Sequence, residues 1–145
     1  MSKIDFWQLS RDPVEKVTAL IAQRVLDQGE RLLVVSADAD QRGAISKALW
    51  KAGPESFLAN GEAGGAGPQV QPILLSDSLD AANGASHAVF ADGRFRDAPD
   101  FARCFLLFDE TSIQHARQTW KALGEREGRE RAFFRQDGGK WVKVA

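Results

Sequence analysis

The sequence predicts an α/β layered domain with parallel central strands, and three observations predict it. Arg31-Leu32-Leu33-Val34-Val35-Ser36 is nearly all apolar, the composition of a strand covered on both faces rather than one. Cys104 to Phe108 is a second run of that kind. Around the first run, segments with apolar residues three and four apart set up a strand–helix–strand–helix rhythm, which parallel layered folds require.

The elements follow in order. Ile4 to Leu9 (Ile-Asp-Phe-Trp-Gln-Leu) is aromatic-rich and reads as the opening strand. Asp12-Pro13-Val14-Glu15 is a helix start, with Asp12 as cap, Pro13 at the first helical position and Glu15 placed for a capping box. Val14, Val17, Leu20, Ile21 and Val25 then recur on one helical face, and Gly29 supplies the stop. After the strand at 31–36, Asp38 or Asp40 opens a second helix, with Ala44, Ile45, Ala48 and Leu49 inward and an end near Gly53-Pro54. Asn60 to Pro68 is dominated by glycine and predicts a flexible loop. Val70 to Leu75 and His87 to Ala91 predict two strands, the second followed by an Asp92-Gly93 turn. The strand at 104–108 leads to a helix from Thr111 or Ser112 to Leu123, with Ile113, Ala116, Trp120 and Leu123 on its apolar stripe. Gly124 to Glu130 is charged and glycine-interrupted, and reads as a loose helix extension or a loop. Ala132 to Arg135 and Trp141 to Val144 flank Asp137-Gly138-Gly139, a closing hairpin.

The bulk numbers bound the function. Residues 1–145 are the size of one domain and bury a full core without disulfides or metals. Hydrophobic content of 43% and charged content of 27% belong to a soluble globular chain, not a disordered one. A net charge of −1 argues against broad binding of a nucleic-acid backbone. Cys104 is the only cysteine, so no intrachain disulfide forms and a reducing cytoplasm is expected. No basic-then-apolar leader opens the chain, and no apolar run approaches the roughly 20 residues that span a bilayer.

No catalytic constellation emerges. The glycine cluster leads through Pro68 into a strand instead of opening a helix, and no Gly-Lys-Ser/Thr follows, so it is read as a loop and not a phosphate cradle. His87, His115 and Cys104 show no metal-ligand pairing. Cys104 is expected as a buried small hydrophobe, His87 at a strand start, and His115 on a helix surface. Gly-x-Ser-x-Gly is absent, Ser76-Asp77-Ser78 reads as a solvated turn, and Asp109-Glu110 suits a helix N-terminus. No cofactor, metal or catalytic residue is therefore expected.

Two aromatic-bearing stretches offer something else. Arg117 and Lys121 are one helical turn apart and Trp120 lies between them, forming a basic ledge beside a broad ring. Such a ledge takes carboxylates on the two cations while an apolar side chain rests against the indole. Spacing alone favours the plainer reading, in which Trp120 is core and the cations are solvated. Trp50 and Phe57, beside charged and turn-forming residues, form a second candidate docking face and are open to the same plainer reading.

A resemblance changes that weighting. Lys47-Ala48-Leu49-Trp50, then Pro54-Glu55-Ser56-Phe57-Leu58-Ala59-Asn60-Gly61 and Gly64 to Gly67, resembles the chi subunit of bacterial DNA polymerase III. Asp5-Phe6-Trp7-Gln8-Leu9, Gly29-Glu30-Arg31-Leu32-Leu33-Val34 and Ala116-Arg117-x-x-Trp120-Lys121 are similar to that family, in the same order along nearly the whole chain. The resemblance implies a non-catalytic accessory of the clamp-loader complex. It implies a three-layer α/β/α, Rossmann-like domain around a largely parallel, mixed sheet. It implies that Arg117, Trp120 and Lys121 hold the acidic C-terminal tail of the single-stranded-DNA-binding protein, so that nucleic acid is met only indirectly. Trp50 and Phe57 match the surface for the small psi subunit, and a helicase-like repair protein is a further implied partner of that face. Two other readings stand beside it: a nucleotide- or nucleic-acid-binding α/β enzyme with an unrecognised site, and a structural subunit that docks without affinity for the tail.

Overall fold

A computed structural model describes residues 2–10, 12–51, 58–65, 67–125, 129–137 and 140–145. Its centre is one eight-stranded sheet in the order β3-β4-β2-β5-β6-β1-β7-β8. The strands are β1 (Ser2–Gln8), β2 (Leu32–Val35), β3 (Asn60–Glu62), β4 (Ile73–Ser76), β5 (His87–Phe90), β6 (Arg103–Phe108), β7 (Arg129–Asp137) and β8 (Lys140–Lys143). Every neighbouring pair from β3 to β7 is parallel, and β8 closes the edge antiparallel to β7. The helices are α1 (Val14–Asp27), α2 (Ala39–Trp50) and α3 (Ile113–Gly124), with a 3-10 turn at Pro68–Val70.

Strand alternation sends two cores to opposite faces of the sheet. Leu32, Val34, Ile73, Leu75, Val89 and Leu107 pack with Val17, Ile21 and Val25 of α1 and Ile45 and Leu49 of α2. Leu33, Val35, Leu74, Phe90, Leu106 and Phe6 pack with Ala116 and Leu123 of α3. The expected α/β architecture with a largely parallel, mixed sheet is therefore present, with helices on both faces. The strand order differs from the 3-2-1-4-5-6 order of a dinucleotide-binding sheet, because β1 lies between β6 and β7. The order thus gives no support to the Rossmann-like part of the expectation.

Several local expectations are corrected. Asn60–Glu62 is a strand on the sheet edge and not a loop. It needs only backbone pairing with β4 and one anchor: buried Asn60 donates to the Leu58 carbonyl at 2.9 Å and sits 2.5 Å from the Ser46 hydroxyl. Val70 ends a 3-10 turn and is exposed, so β4 begins only at Ile73. Asp12 does not cap α1; Pro13 holds that position without a side-chain bond. The Asp12 carboxylate instead accepts from Lys16 and, at 2.7 Å, from Gln136 at the end of β7. Asp38 does cap α2, accepting from the backbone of Asp40 and Gln41. Leu20 and Ala44, expected inward, are exposed. The stop at Gly29 has the left-handed φ of 78° that favours glycine.

Candidate docking site

The approach to α3 is built by Asp109. Its carboxylate accepts from the Thr111 hydroxyl and backbone N–H and from the Ser112 hydroxyl. The Thr111 hydroxyl is the chief cause of a carboxyl pKa held below its ordinary value. Ala116, Thr119 and Leu123 form the buried stripe of the helix, with Ile113 and Trp120 packed against the core at its flank.

Arg117 and Lys121 are exposed one turn apart, and neither is ion-paired among the described residues. Trp120 is neither a bare platform nor fully core. Its indole meets Phe6 edge-on at 5.2 Å and Phe133 at 5.7 Å. The Arg131 guanidinium lies over the ring, 4.1 Å from its centroid, and its Nη1 donates to the Trp120 carbonyl. The sequence-predicted trio is thus brought together on α3, with Arg131 of β7 added to it.

Arg131 is the residue that sequence reasoning missed. It is eleven positions beyond Trp120, in a different element, and no helical period connects them. The one local signal is Gly124 at the helix end: a Cβ there would stand 2.6 Å from the guanidinium. Glycine leaves the slot that Arg131 fills.

The second candidate face is on α2, on the other side of the sheet. Trp50 ends the helix and is 45% exposed. Phe57 lies outside the described residues. Beside α2, a groove of about 500 Å³ runs between α1 and α2, lined by Val17, Leu20 and Ala48 with Lys16 and Lys51 at its rim. Trp50 is not part of that lining.

Other polar clusters have structural geometry. Asp5, fully buried in β1, accepts from Nε of Arg103 at 2.9 Å and also from its Nη2. Ser86 Oγ donates to Glu30 at 2.8 Å and lies 2.7 Å from His87 Nδ1. A hydroxyl has one proton, and the carboxylate can only accept, so Nδ1 must donate to Oγ. That polarity is the reverse of what a serine nucleophile activated by histidine requires. Burial lowers the His87 pKa and favours the neutral ring. Cys104 is buried, and His115 is on the helix surface, where its Nε2 accepts from the Phe95 backbone. Among the described residues no group of His, Cys, Asp and Glu is arranged to hold a metal ion, and no helix is long and apolar enough to cross a membrane.

Residues 1–129 match the family model described as DNA polymerase III chi subunit, HolC. The chain belongs to the chi family. The match runs from β1 through α3 and so covers the sequence positions of Trp50 and Phe57 as well as those of Arg117, Trp120 and Lys121. It stops where β7 begins, leaving Arg131 and the rest of the β7–β8 hairpin beyond it. Comparison with curated proteins found no match. Membership connects this chi chain to DNA replication by DNA polymerase III.

Proposed function

We propose that this chain is a non-catalytic adaptor of the clamp-loader complex that captures the acidic C-terminal tail of the single-stranded-DNA-binding protein on α3. The observation that carries the reading is the pair Arg117 and Lys121, exposed and without ion-pair partners among the described residues, beside a half-buried indole. Two cations in reach of carboxylates and one aromatic wall for an apolar side chain match a tail that ends in an apolar residue with a free α-carboxylate. The exposed Trp50 face, on the opposite side of the sheet, is left for psi or an equivalent clamp-loader component, and for a helicase-like repair protein as an alternative occupant.

The test is titration of wild type and Arg117→Ala with a short acidic peptide of that kind at two salt concentrations. A charge-assisted hydrogen bond contributes about 1.5–3 kcal/mol, so the variant should bind on the order of ten- to a hundredfold more weakly. Affinity should fall as salt rises, and amidating the peptide's terminus should cost at least as much as removing one acid. Equal affinities for both proteins would refute the reading.

A further inference from the structure

We propose that the docking surface does not end on α3 but continues across the β7–β8 hairpin, where it binds the acidic stretch that precedes the terminal apolar residue of the same peptide. This rests on the reading of α3 as the tail site and extends it.

The geometry starts from Gly124, whose Cα faces Arg131 of β7. Arg117 is seven residues earlier, within about 20° of Gly124 around the helix at about 100° per residue. Arg117 therefore lies on the flank of α3 that looks towards β7, and Lys121 stands on the outer edge of that flank.

On β7, side chains two apart share a face, which places Arg131, Phe133 and Arg135 together on the α3 side. Phe133 belongs to the core on that side, stacked on Phe6, while its neighbour Phe134 packs with the opposite core. Arg135 pairs in register with Val142 of β8, so both point to this face. Val144, bonded through its backbone N–H to the Phe133 carbonyl at 2.7 Å, continues the row. Val142 and Val144 are 43% and 52% exposed.

The result is a strip of cations that crosses from α3 to the hairpin: Arg117 and Lys121 on α3, Arg131 over the Trp120 ring, Arg135 further along β7, and the two valines as an apolar margin. None of the four cations is ion-paired among the described residues. Four cations along one surface complement an extended acidic peptide. From Arg131 to Arg135 the strand rises about 13 Å, the length of about four extended residues. Arg135 and both valines lie past residue 129, where the family match stops.

The experiment uses the full chain and two peptides, one limited to the terminal apolar residue and the acids next to it, the other extended upstream by further acids. Arg135→Glu and Val142→Ser are titrated with both near physiological salt, where the screening length is about 8 Å. Arg135→Glu should weaken the long peptide about tenfold and the short one less than about twofold, and Val142→Ser should affect only the long peptide. Unchanged long-peptide affinity, or equal losses for both peptides, would overturn the extension across the hairpin while short-peptide binding that depends on Arg117 keeps the tail site. A wild-type chain that captures neither peptide removes both.

Discussion

Replacing Arg103 by methionine tests the deepest electrostatic commitment in the fold. Asp5 is fully buried in β1 between β6 and β7, and its Oδ2 accepts two N–H groups of Arg103. Its Oδ1 has no hydrogen-bond partner among the described residues, and the next cation, Lys3, is 3.9 Å away with a half-exposed side chain. Removing one partner of a buried pair costs about 3–5 kcal/mol, because a charge is left without compensation. The Arg103 side chain is 32% exposed, so solvent already screens its side of the pair and the lower end applies. We expect Arg103→Met to lose about 3 kcal/mol, or roughly 6–12 °C in Tm for a chain of this size. The double variant Asp5→Leu/Arg103→Met should recover to within about 1 kcal/mol of wild type, since apolar side chains replace buried ion pairs at little cost. Urea unfolding followed by tryptophan fluorescence measures both. A loss under about 1 kcal/mol in the single variant, or no recovery in the double, would refute the assignment of a buried, Arg103-dependent carboxylate.

Two further outcomes are expected. Gly124→Ala should leave stability within about 1 kcal/mol of wild type, since alanine's helix preference offsets the loss of Arg131 from the Trp120 ring. The indole N–H resonance of Trp120 should nevertheless move, and an unmoved resonance would mean that Gly124 does not seat the guanidinium. For Asp92, burial alone would raise the carboxyl pKa, but hydrogen bonds from Arg96 and from the backbones of Ala37 and Arg94 outweigh it and hold it below 3.8. A folded-state value below the unfolded one contributes stability that is complete above pH 3.8 and is lost as pH falls through the folded value. Asp92→Asn should accordingly be less stable than wild type at pH 7, with the deficit shrinking in acid, and a deficit constant with pH would show that the charge is not its source.

What the sequence revealed follows from what each element must bury. β2 and β6 were legible because a strand covered on both faces leaves no room for polar side chains. α1 and α3 were legible from their 3.6-residue stripe, and the same period put Arg117 and Lys121 on one exposed face. β3 was not legible, because an edge strand draws on its backbone and one buried asparagine, neither of which leaves a hydrophobic pattern. Leu20 and Ala44 fit the helical period yet are exposed, because an apolar side chain satisfies that pattern equally well at the rim of a helix and in its buried stripe. The Asp5–Arg103 pair and the Arg131–Trp120 stack join residues of different elements, brought together by a strand order that local spacing does not encode.

The same strand order separates the two aromatic surfaces. α2, with Trp50 at its end, packs on one face of the sheet, and α3, with Trp120, packs on the other. The strands between them bury side chains on both faces, and β2, β4 and β6 carry almost no polar group there. A packed core of this kind resists deformation. In the proposed adaptor a partner on one face leaves the other unobstructed, so no communication between the two sites is needed. Under the proposed function, joining partners works through proximity: where the clamp-loader component on the α2 face and the single-stranded-DNA-binding protein share one DNA strand, capture of the tail on α3 becomes an intramolecular event at raised effective concentration. Modest affinity at the proposed α3 site is sufficient under that arrangement. A tail held in the proposed way, by exposed and salt-screened cations, can then dissociate quickly without parting the assembly.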